Sequence, residues 1–321
     1  MEGRPVKVLL PADLELPVIS IDGAEFVSLD LRGTIPEEHR DAEVIVEWGT
    51  PAPLVAQTLA QLPALRWVQS LSAGPNHVLA QAPDHVLVTG GSGLHDKPVA
   101  EHTLALILAG LRRVHLAVRA QQEHRWAAEL GGLQPEYDPH AVTTLRGARV
   151  LIWGYGNIAR ELTGHLRALG ATVTGAARSA RTENGVSVVG AEGLEDELKR
   201  TDVLVMILPG SDSTHHALNA ARLALLPARS WVVNVGRGTA IDQQALLEAV
   251  REGKLAGAAL DVTDPEPLPS DSPLWDEPGI IITPHAAGGR PLDAARLIEA
   301  NVRAYLAGEP LRNVLQAGSP A

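Results

Sequence analysis

The sequence contains no cysteine. That excludes disulfides, thiolate metal sites and a cysteine nucleophile together, and it fits the reducing cytoplasm, the compartment expected for this chain. An excess of basic residues is also missing: 27 Lys and Arg stand against 38 Asp and Glu, a net charge of −11. Phosphate recognition along a nucleic acid needs clustered cations, so no nucleic-acid partner is expected. A local arginine can still dominate one pocket, which leaves an anionic small substrate open. No apolar run is long enough to span a bilayer. The longest strongly apolar stretch, residues 104–111, is followed by Arg112 and Arg113. Near the N-terminus Pro11, Asp13, Glu15 and Pro17 interrupt what a signal peptide would keep as an unbroken apolar core. No membrane partner is expected, and no repeat or low-complexity segment is visible.

What is present is a chain of 321 residues, comfortable for two domains. Short β-rich runs at 6–10, 26–29, 44–48, 67–71 and 86–89 alternate with helix-like stretches such as 53–61. Such alternation implies βα units and a mainly parallel sheet. Residues 98–123 read as one long helix with Pro98 in its first turn. Its middle is apolar on most sides and must be buried on most sides, at a domain junction or in a homodimer. A second βα series begins near residue 148. It has a strand at 149–153, a helix at 157–169, a strand at 172–175, apolar strand-like runs at 203–208, 231–235 and 257–262, and a short strand at 280–283. Residues 242–251 read as a helix with Asp242 as N-cap. The Pro- and acid-rich stretch 264–278 reads as a loop. The tail 291–306 is again helical and can return to the first domain.

Gly154, Gly156 and Ala159 form a G-x-G-x-x-A turn between a strand and a helix. In such a turn the first glycine permits the bend and the second lets the backbone approach a pyrophosphate. The alanine keeps the helix close to the strand. The first amides of the helix, at Asn157 and Ile158, then face the phosphates. The next strand usually ends in an acid when the fold selects NAD. Here that position is Ala177, followed by Arg178, Ser179 and, close by, Arg181. Cations and a hydroxyl in place of an acid favour the 2′-phosphate of NADP(H), with NAD(H) possible. The plainer reading is that these are solvated loop arginines.

Three polar residues stand out in the last third: Arg237 in NVGRG, Glu266 in DPEPL and His285 in TPHAAG. Reduction of a 2-keto acid needs a proton on the carbonyl oxygen, and histidine suits that near neutral pH. An adjacent carboxylate favours the imidazolium. A guanidinium offers a planar fork for a carboxylate. Taken singly, an arginine capping a helix, a solvated glutamate and a turn histidine are the bland readings. His215 and His216 are adjacent, so in extended chain they point opposite ways, with no third ligand at metal spacing. No metal is expected. Glu101 and His102 read as a packing or interface pair, and Trp126 and Trp153 as core or cleft residues.

The chain resembles the D-isomer-specific 2-hydroxyacid dehydrogenase family, of the glyoxylate/hydroxypyruvate reductase kind. The matching segments are GYGNIA, LPGSDSTHHAL at 208–218, VNVGRG ending at Gly238, ALDVTDPEPL at 259–268 and TPHAAG at 283–288, with VAEH at 99–102. They cover residues 66–290 well and the first 60 by strand pattern alone. The resemblance implies an α/β fold of two domains with the active site in the cleft between them. One is a Rossmann-type doubly wound parallel sheet domain at 97–286. The other is a flavodoxin-like substrate domain, discontinuous, at 1–96 and 287–321. It implies that Arg237 clamps the substrate, Glu266 is the catalytic acid and His285 the acid/base. Asp261 falls near the nicotinamide side of the cofactor site, and Leu208, Pro209, Val235 and Gly236 fall in segments assigned to the cofactor. Backbone amides of Ser72, Ala73 and Gly74 would hold the substrate carboxylate, although Pro75 and Asn76 depart from the commoner Val and Asp. The expected activity is hydride transfer between NADP(H) and a small 2-keto or 2-hydroxy acid. The alternatives are a phosphoglycerate dehydrogenase-like activity, or a nucleotide-sensing binding protein on the same scaffold.

Overall fold

A computed structural model of the chain describes residues 4–133, 135 and 138–316. The chain divides into two compact units, Met1–His95 with Arg290–Ala321, and Asp96–Gly289. The outer ends, residues 1–3 and 317–321, lie outside the described residues. The second crossing point falls later than position 287 because Ala286 and Ala287 both donate their amides to the Asp261 carboxylate. Those bonds keep the segment with the second unit.

The first unit holds β1 (Val6–Pro11), β2 (Ala24–Leu29), β3 (Val44–Glu47), β4 (Trp67–Ser70) and β5 (Leu87–Thr89), with helices α1 (Ala52–Ala60) and α2 (Asn76–Leu79). The strands are parallel in the order β5-β4-β3-β1-β2, and the late strand Val314–Gln316 adds antiparallel to β5. This is the flavodoxin-like order. Period-two alternation explains why Val44, Ile45 and Val46 of β3 are all apolar. Ile45 joins a core cluster with Val55 and Leu59 of α1, while Val44 and Val46 join another with Leu297 and Ile298 of the helix Ala294–Ala307. Both faces of the sheet are therefore covered.

The second unit contains α3 (Asp96–Leu111), α4 (Val114–Gln122), β6 (Arg149–Trp153), α5 (Asn157–Ala168), β7 (Thr172–Ala176), β8 (Arg181–Glu183), β9 (Val186–Val189), α6 (Ala191–Leu198), β10 (Val203–Met206), α7 (Ala220–Leu223), β11 (Trp231–Asn234), α8 (Gln243–Arg251), β12 (Gly257–Leu260) and β13 (Ile280–Ile282). Its sheet runs β13-β12-β11-β10-β6-β7-β9-β8, parallel except at the β8–β9 edge. Strand order reverses between β6 and β10, which makes a topological switch point at their carboxyl ends. Each inner strand divides its side chains between two cores. Val203 and Val205 face α3 and α5, while Leu204 and Met206 face α6, α7 and α8. Asp242 caps α8 by accepting from Ala245 N–H at 3.0 Å, and the stretch 264–278 carries no helix or strand.

The single long helix expected at 98–123 is two helices. Arg113 takes a left-handed conformation (φ 54°) between α3 and α4. The apolar run ends at Leu111, and Arg112 and Arg113 are exposed, so the chain turns there rather than carrying two charges into the core. Burial is concentrated in α3, whose Gly110 lies directly on the Trp231 ring, while α4 buries Ala120. The outer helix α4 leaves Val114 and Val118 exposed. The sequence also hid the β8–β9 hairpin and the strand Val314–Gln316, because such short edge strands carry too few apolar positions to show a period.

Candidate active site

Turns that follow adjacent strands of the second sheet meet backbone to backbone. Gly154, just after β6, has φ +103°, and a Cβ there would lie 2.5 Å from the Ile207 carbonyl oxygen after β10. A Cβ on Gly238 would lie 1.9 Å from the Thr263 carbonyl oxygen beyond β12. The fold itself demands these glycines. Gly156 is different: a Cβ there would meet nothing within 4 Å. Packing does not require its lack of a side chain, whereas close approach of a ligand would. Helix α5 starts immediately after it with no side-chain cap. The first-turn amides, including those of Asn157 and Ile158, are left as orphan donors at the positive end of the helix dipole. The residues present fit a dinucleotide pyrophosphate.

Beyond β7, Ala177 stands where an acid would bind a 2′-hydroxyl. Arg178 and Ser179 are exposed, and Arg178 makes no ion pair among the described residues. Arg181 is no loop residue. It lies in β8, and its guanidinium donates to Glu183 Oε2 at 2.8 Å and to the Tyr155 carbonyl at 2.9 Å. Glu183 also pairs with Arg160. Those arginines, Arg160 first, hold its carboxyl below the usual range. Leu208 is buried and Pro209 exposed after β10, and Val235 and Gly236 are buried after β11. All of these positions lie beyond the carboxyl ends of their strands or in the edge hairpin.

Arg237 follows the turn after β11, which Asn234 laces from below. The Asn234 side chain accepts from Gly236 N–H at 3.1 Å and donates to the Arg237 carbonyl at 3.0 Å. Glu266 comes from the loop after β12, where its Oε1 accepts from Thr263 N–H at 3.1 Å. Its Oε2 lies 2.9 Å from His285 Nδ1. His285 sits at φ 51°, a region that costs a non-glycine residue about 1–3 kcal/mol. The surrounding loop enforces it. Asp261, only 1% exposed, accepts from Thr283 Oγ1 at 2.6 Å, from Ala286 N–H at 2.9 Å and from Ala287 N–H at 3.0 Å. Its carbonyl accepts from His285 N–H at 2.8 Å.

The electrostatics follow from this geometry. The hydrogen bond to Glu266 raises the His285 imidazole above its ordinary value. Partial burial and the Arg237 charge oppose the rise, and the Glu266 and Asp261 charges assist it. Burial pushes the Glu266 carboxyl up, but the His285 bond and charge, the Thr263 amide and the Arg237 charge outweigh it and hold it low. Arg237 thus acts on both partners, and the three residues form one cluster. Such a cluster can bind an anion beside a proton donor.

Ser72, Ala73 and Gly74 belong to the other unit, in the loop after β4. Ser72 N–H donates to Ser70 Oγ at 3.2 Å, and Ser72 O accepts from Gly91 N–H at 2.8 Å.

Several neighbours were not legible in the chain. His102, read as a packing residue, brings its Nε2 to 3.1 Å from Thr283 Oγ1 and 3.2 Å from Asp261 Oδ1. No local pattern links position 102 to 261. Asn234 lies inside a matched segment, but nothing in the sequence singles it out. His215 and His216 do not point apart: their rings stack at 4.0 Å, because the positive φ of His216 breaks the extended alternation. Trp126 is 93% exposed rather than in a core or cleft, and Trp153 is partly buried beneath Arg222.

A family model described as D-isomer specific 2-hydroxyacid dehydrogenase, NAD binding domain, matches residues 104–287. The glyoxylate reductase of Aeropyrum pernix is 34% identical over 266 residues, 80% of this chain and 78% of that protein. Among solved structures, a D-isomer specific 2-hydroxyacid dehydrogenase from Xanthobacter autotrophicus, in complex with NADPH and MES, superposes with a TM-score of 0.77 at 29% identity. The match covers 98% of both chains. An NADPH-dependent glyoxylate/hydroxypyruvate reductase from Sinorhizobium meliloti, in complex with NADP and sulfate, also gives 0.77, at 27% identity over 98% of this chain and 100% of that one. The chain belongs to the D-isomer specific 2-hydroxyacid dehydrogenase family.

Proposed function

We propose that this protein is an NADP(H)-preferring reductase of small 2-keto acids such as glyoxylate or hydroxypyruvate. The observation that carries the reading is the His285–Glu266 pair at 2.9 Å within reach of the Arg237 charge. It stands beyond the carboxyl ends of the strands that also present the dinucleotide turn. When bound, the cofactor supplies the hydride. The remaining chemistry falls to the chain. Arg237 holds the substrate carboxylate and polarises the carbonyl. His285 delivers the proton to the carbonyl oxygen from Nε2, and Glu266 keeps the ring oriented and charged. Asp261 fixes the loop that carries His285. Among the described residues its Oδ2 accepts only from Ala287 N–H, so capacity remains for a cofactor amide. The amides of the loop 72–74 assist with the carboxylate. Arg178 and Ser179 take the 2′-phosphate, and the S. meliloti and X. autotrophicus proteins, crystallised with NADP and NADPH, support that choice.

The test is the loss of NADPH absorbance with a panel of 2-keto acids. Turnover of glyoxylate or hydroxypyruvate is expected, and NADH should serve poorly. Tight NADPH binding without oxidation by any acid would replace this reading with a nucleotide sensor.

The functional molecule in this reading is a homodimer. The segment 114–133 leaves Val114, Val118, Trp126 and Leu133 exposed, an apolar strip that a second copy would cover. Light scattering should give twice the chain mass. A monomer would remove this part of the proposal.

A further inference from the structure

Glu47 is the last residue of β3 and is 5% exposed, yet neither the cofactor turn nor the acid–base pair uses it. It is the register partner of Ser70, the last residue of β4. Its Oε2 accepts from Ser70 Oγ at 2.8 Å. Its Oε1 accepts from Thr50 N–H at 3.0 Å and lies 3.6 Å from His77 Nε2. Burial pushes its carboxyl up, but the bonds from His77, Ser70 and Thr50 outweigh this and hold it low, so the group is a buried carboxylate.

Its partners bracket the loop 72–74. Ser70 lies two residues before the loop, and His77 three residues after it. The chain of bonds continues inward. Ser70 Oγ donates to Glu47 and accepts Ser72 N–H at 3.2 Å. A hydroxyl that donates to a carboxylate is polarised and becomes a better acceptor. The rest of the backbone here is equally committed. Leu71 N–H donates to the Glu47 carbonyl at 2.9 Å, His95 Nε2 holds the Leu71 carbonyl at 2.7 Å, and Gly91 N–H holds the Ser72 carbonyl at 2.8 Å. Every backbone polar group of Leu71 and Ser72 therefore has a partner. The Ala73 amide is the first in the loop with no acceptor among the described residues. Ala73 is exposed, so this amide is bonded to solvent and open to a ligand carboxylate that displaces the water.

We propose that Glu47 is a positioning residue: it clamps both ends of the loop 72–74, withdraws Ser72 N–H through Ser70, and so presents the Ala73 amide to the substrate carboxylate. This rests on the keto-acid reading above. It assigns to Ala73 the role that sequence similarity spreads over three residues.

The experiment uses Ser70→Ala, Glu47→Gln and Glu47→Ala in the full chain, with glyoxylate and NADPH. Positioning of a carboxylate donor acts on ground state and transition state alike, so it appears in KM and not in kcat. Loss of one such hydrogen bond corresponds to about a tenfold change at most. Ser70→Ala should raise KM for glyoxylate by about three- to tenfold, with kcat and NADPH affinity unchanged. Glu47→Ala should reach the upper end of that range, and Glu47→Gln, which keeps one acceptor, should fall between Glu47→Ala and wild type. Hydrogen exchange at the amides of residues 71–74 should quicken in the same order. An unchanged KM in both Ser70→Ala and Glu47→Gln would overturn the proposal, and these two decide it if Glu47→Ala does not fold. A fall in kcat at constant KM would overturn it as well. Wild-type protein that turns over no 2-keto acid would instead sink the reading of the reaction.

Discussion

His285 Nδ1 lies 2.9 Å from Glu266 Oε2. A carboxylate only accepts, so the proton in this bond sits on Nδ1, and Nε2 is the nitrogen left for a substrate. The imidazolium donates from Nε2 and the neutral ring accepts there. One geometry thus serves both directions of a keto-acid interconversion.

In the proposed mechanism the pair sets the pH dependence. Glu266 raises the His285 imidazole above its ordinary value, and reduction needs the protonated ring. The kcat/KM for reduction should therefore hold through the ordinary histidine range of about 6.5 and fall as pH rises through the elevated value. Oxidation should run the opposite way. In Glu266→Gln the carboxylate is gone and the descending limb for reduction should move to lower pH. A limb at the same pH in wild type and variant would disprove the role of Glu266.

Two glycines should fail differently. A Cβ on Gly238 meets the Thr263 carbonyl at 1.9 Å, and one on Gly156 meets nothing. Gly238→Ala should destabilise the fold severely, by more than the 1–3 kcal/mol usual for overpacking. Gly156→Ala should melt like wild type yet bind NADPH weakly. Thermal melts and cofactor titration check both halves. Normal NADPH binding by Gly156→Ala would remove the pyrophosphate from that turn.

Arg178 is exposed beyond β7, while Arg181 is held by Glu183 and the Tyr155 carbonyl. Arg178→Ala should lower kcat/KM for NADPH by about ten- to a hundredfold, the worth of a charge-assisted bond, with NADH little affected. Equal losses with both cofactors would mean that Arg178 does not read the 2′-phosphate.

Asp261 is a buried acceptor for two amides and a hydroxyl. In Asp261→Asn a hydroxyl can turn away from the new amide group, but a backbone N–H cannot. At least one of Ala286 and Ala287 then loses its acceptor or faces a donor. Urea unfolding should show a loss of about 1–3 kcal/mol, and turnover should fall because the same loop carries His285. An unchanged midpoint would show that the loop does not depend on Asp261.

Strands β6, β10, β11 and β12 were legible because strands buried on both faces must be apolar without interruption. Asp242 was legible as a cap because capping is local. Arg237, Glu266 and His285 stood out because their residue types suit one reaction and recur in a recognisable order. The break at Arg113 was not legible, since the run before it is equally compatible with one helix or two. Nor was Arg181, whose strand exists only by pairing with β9.

Sequence alone determined the α/β class, the dinucleotide turn and the chemical types available for catalysis, because period, glycine placement and side-chain chemistry are local properties. Tertiary structure decided which of those groups meet. His102 reaches Asp261 across 159 residues, Glu266 reaches His285 across 19, and Glu47 reaches Ser70 across 23. Such bonds depend on strand order and on turns meeting beyond the sheet, and no window of sequence carries that information.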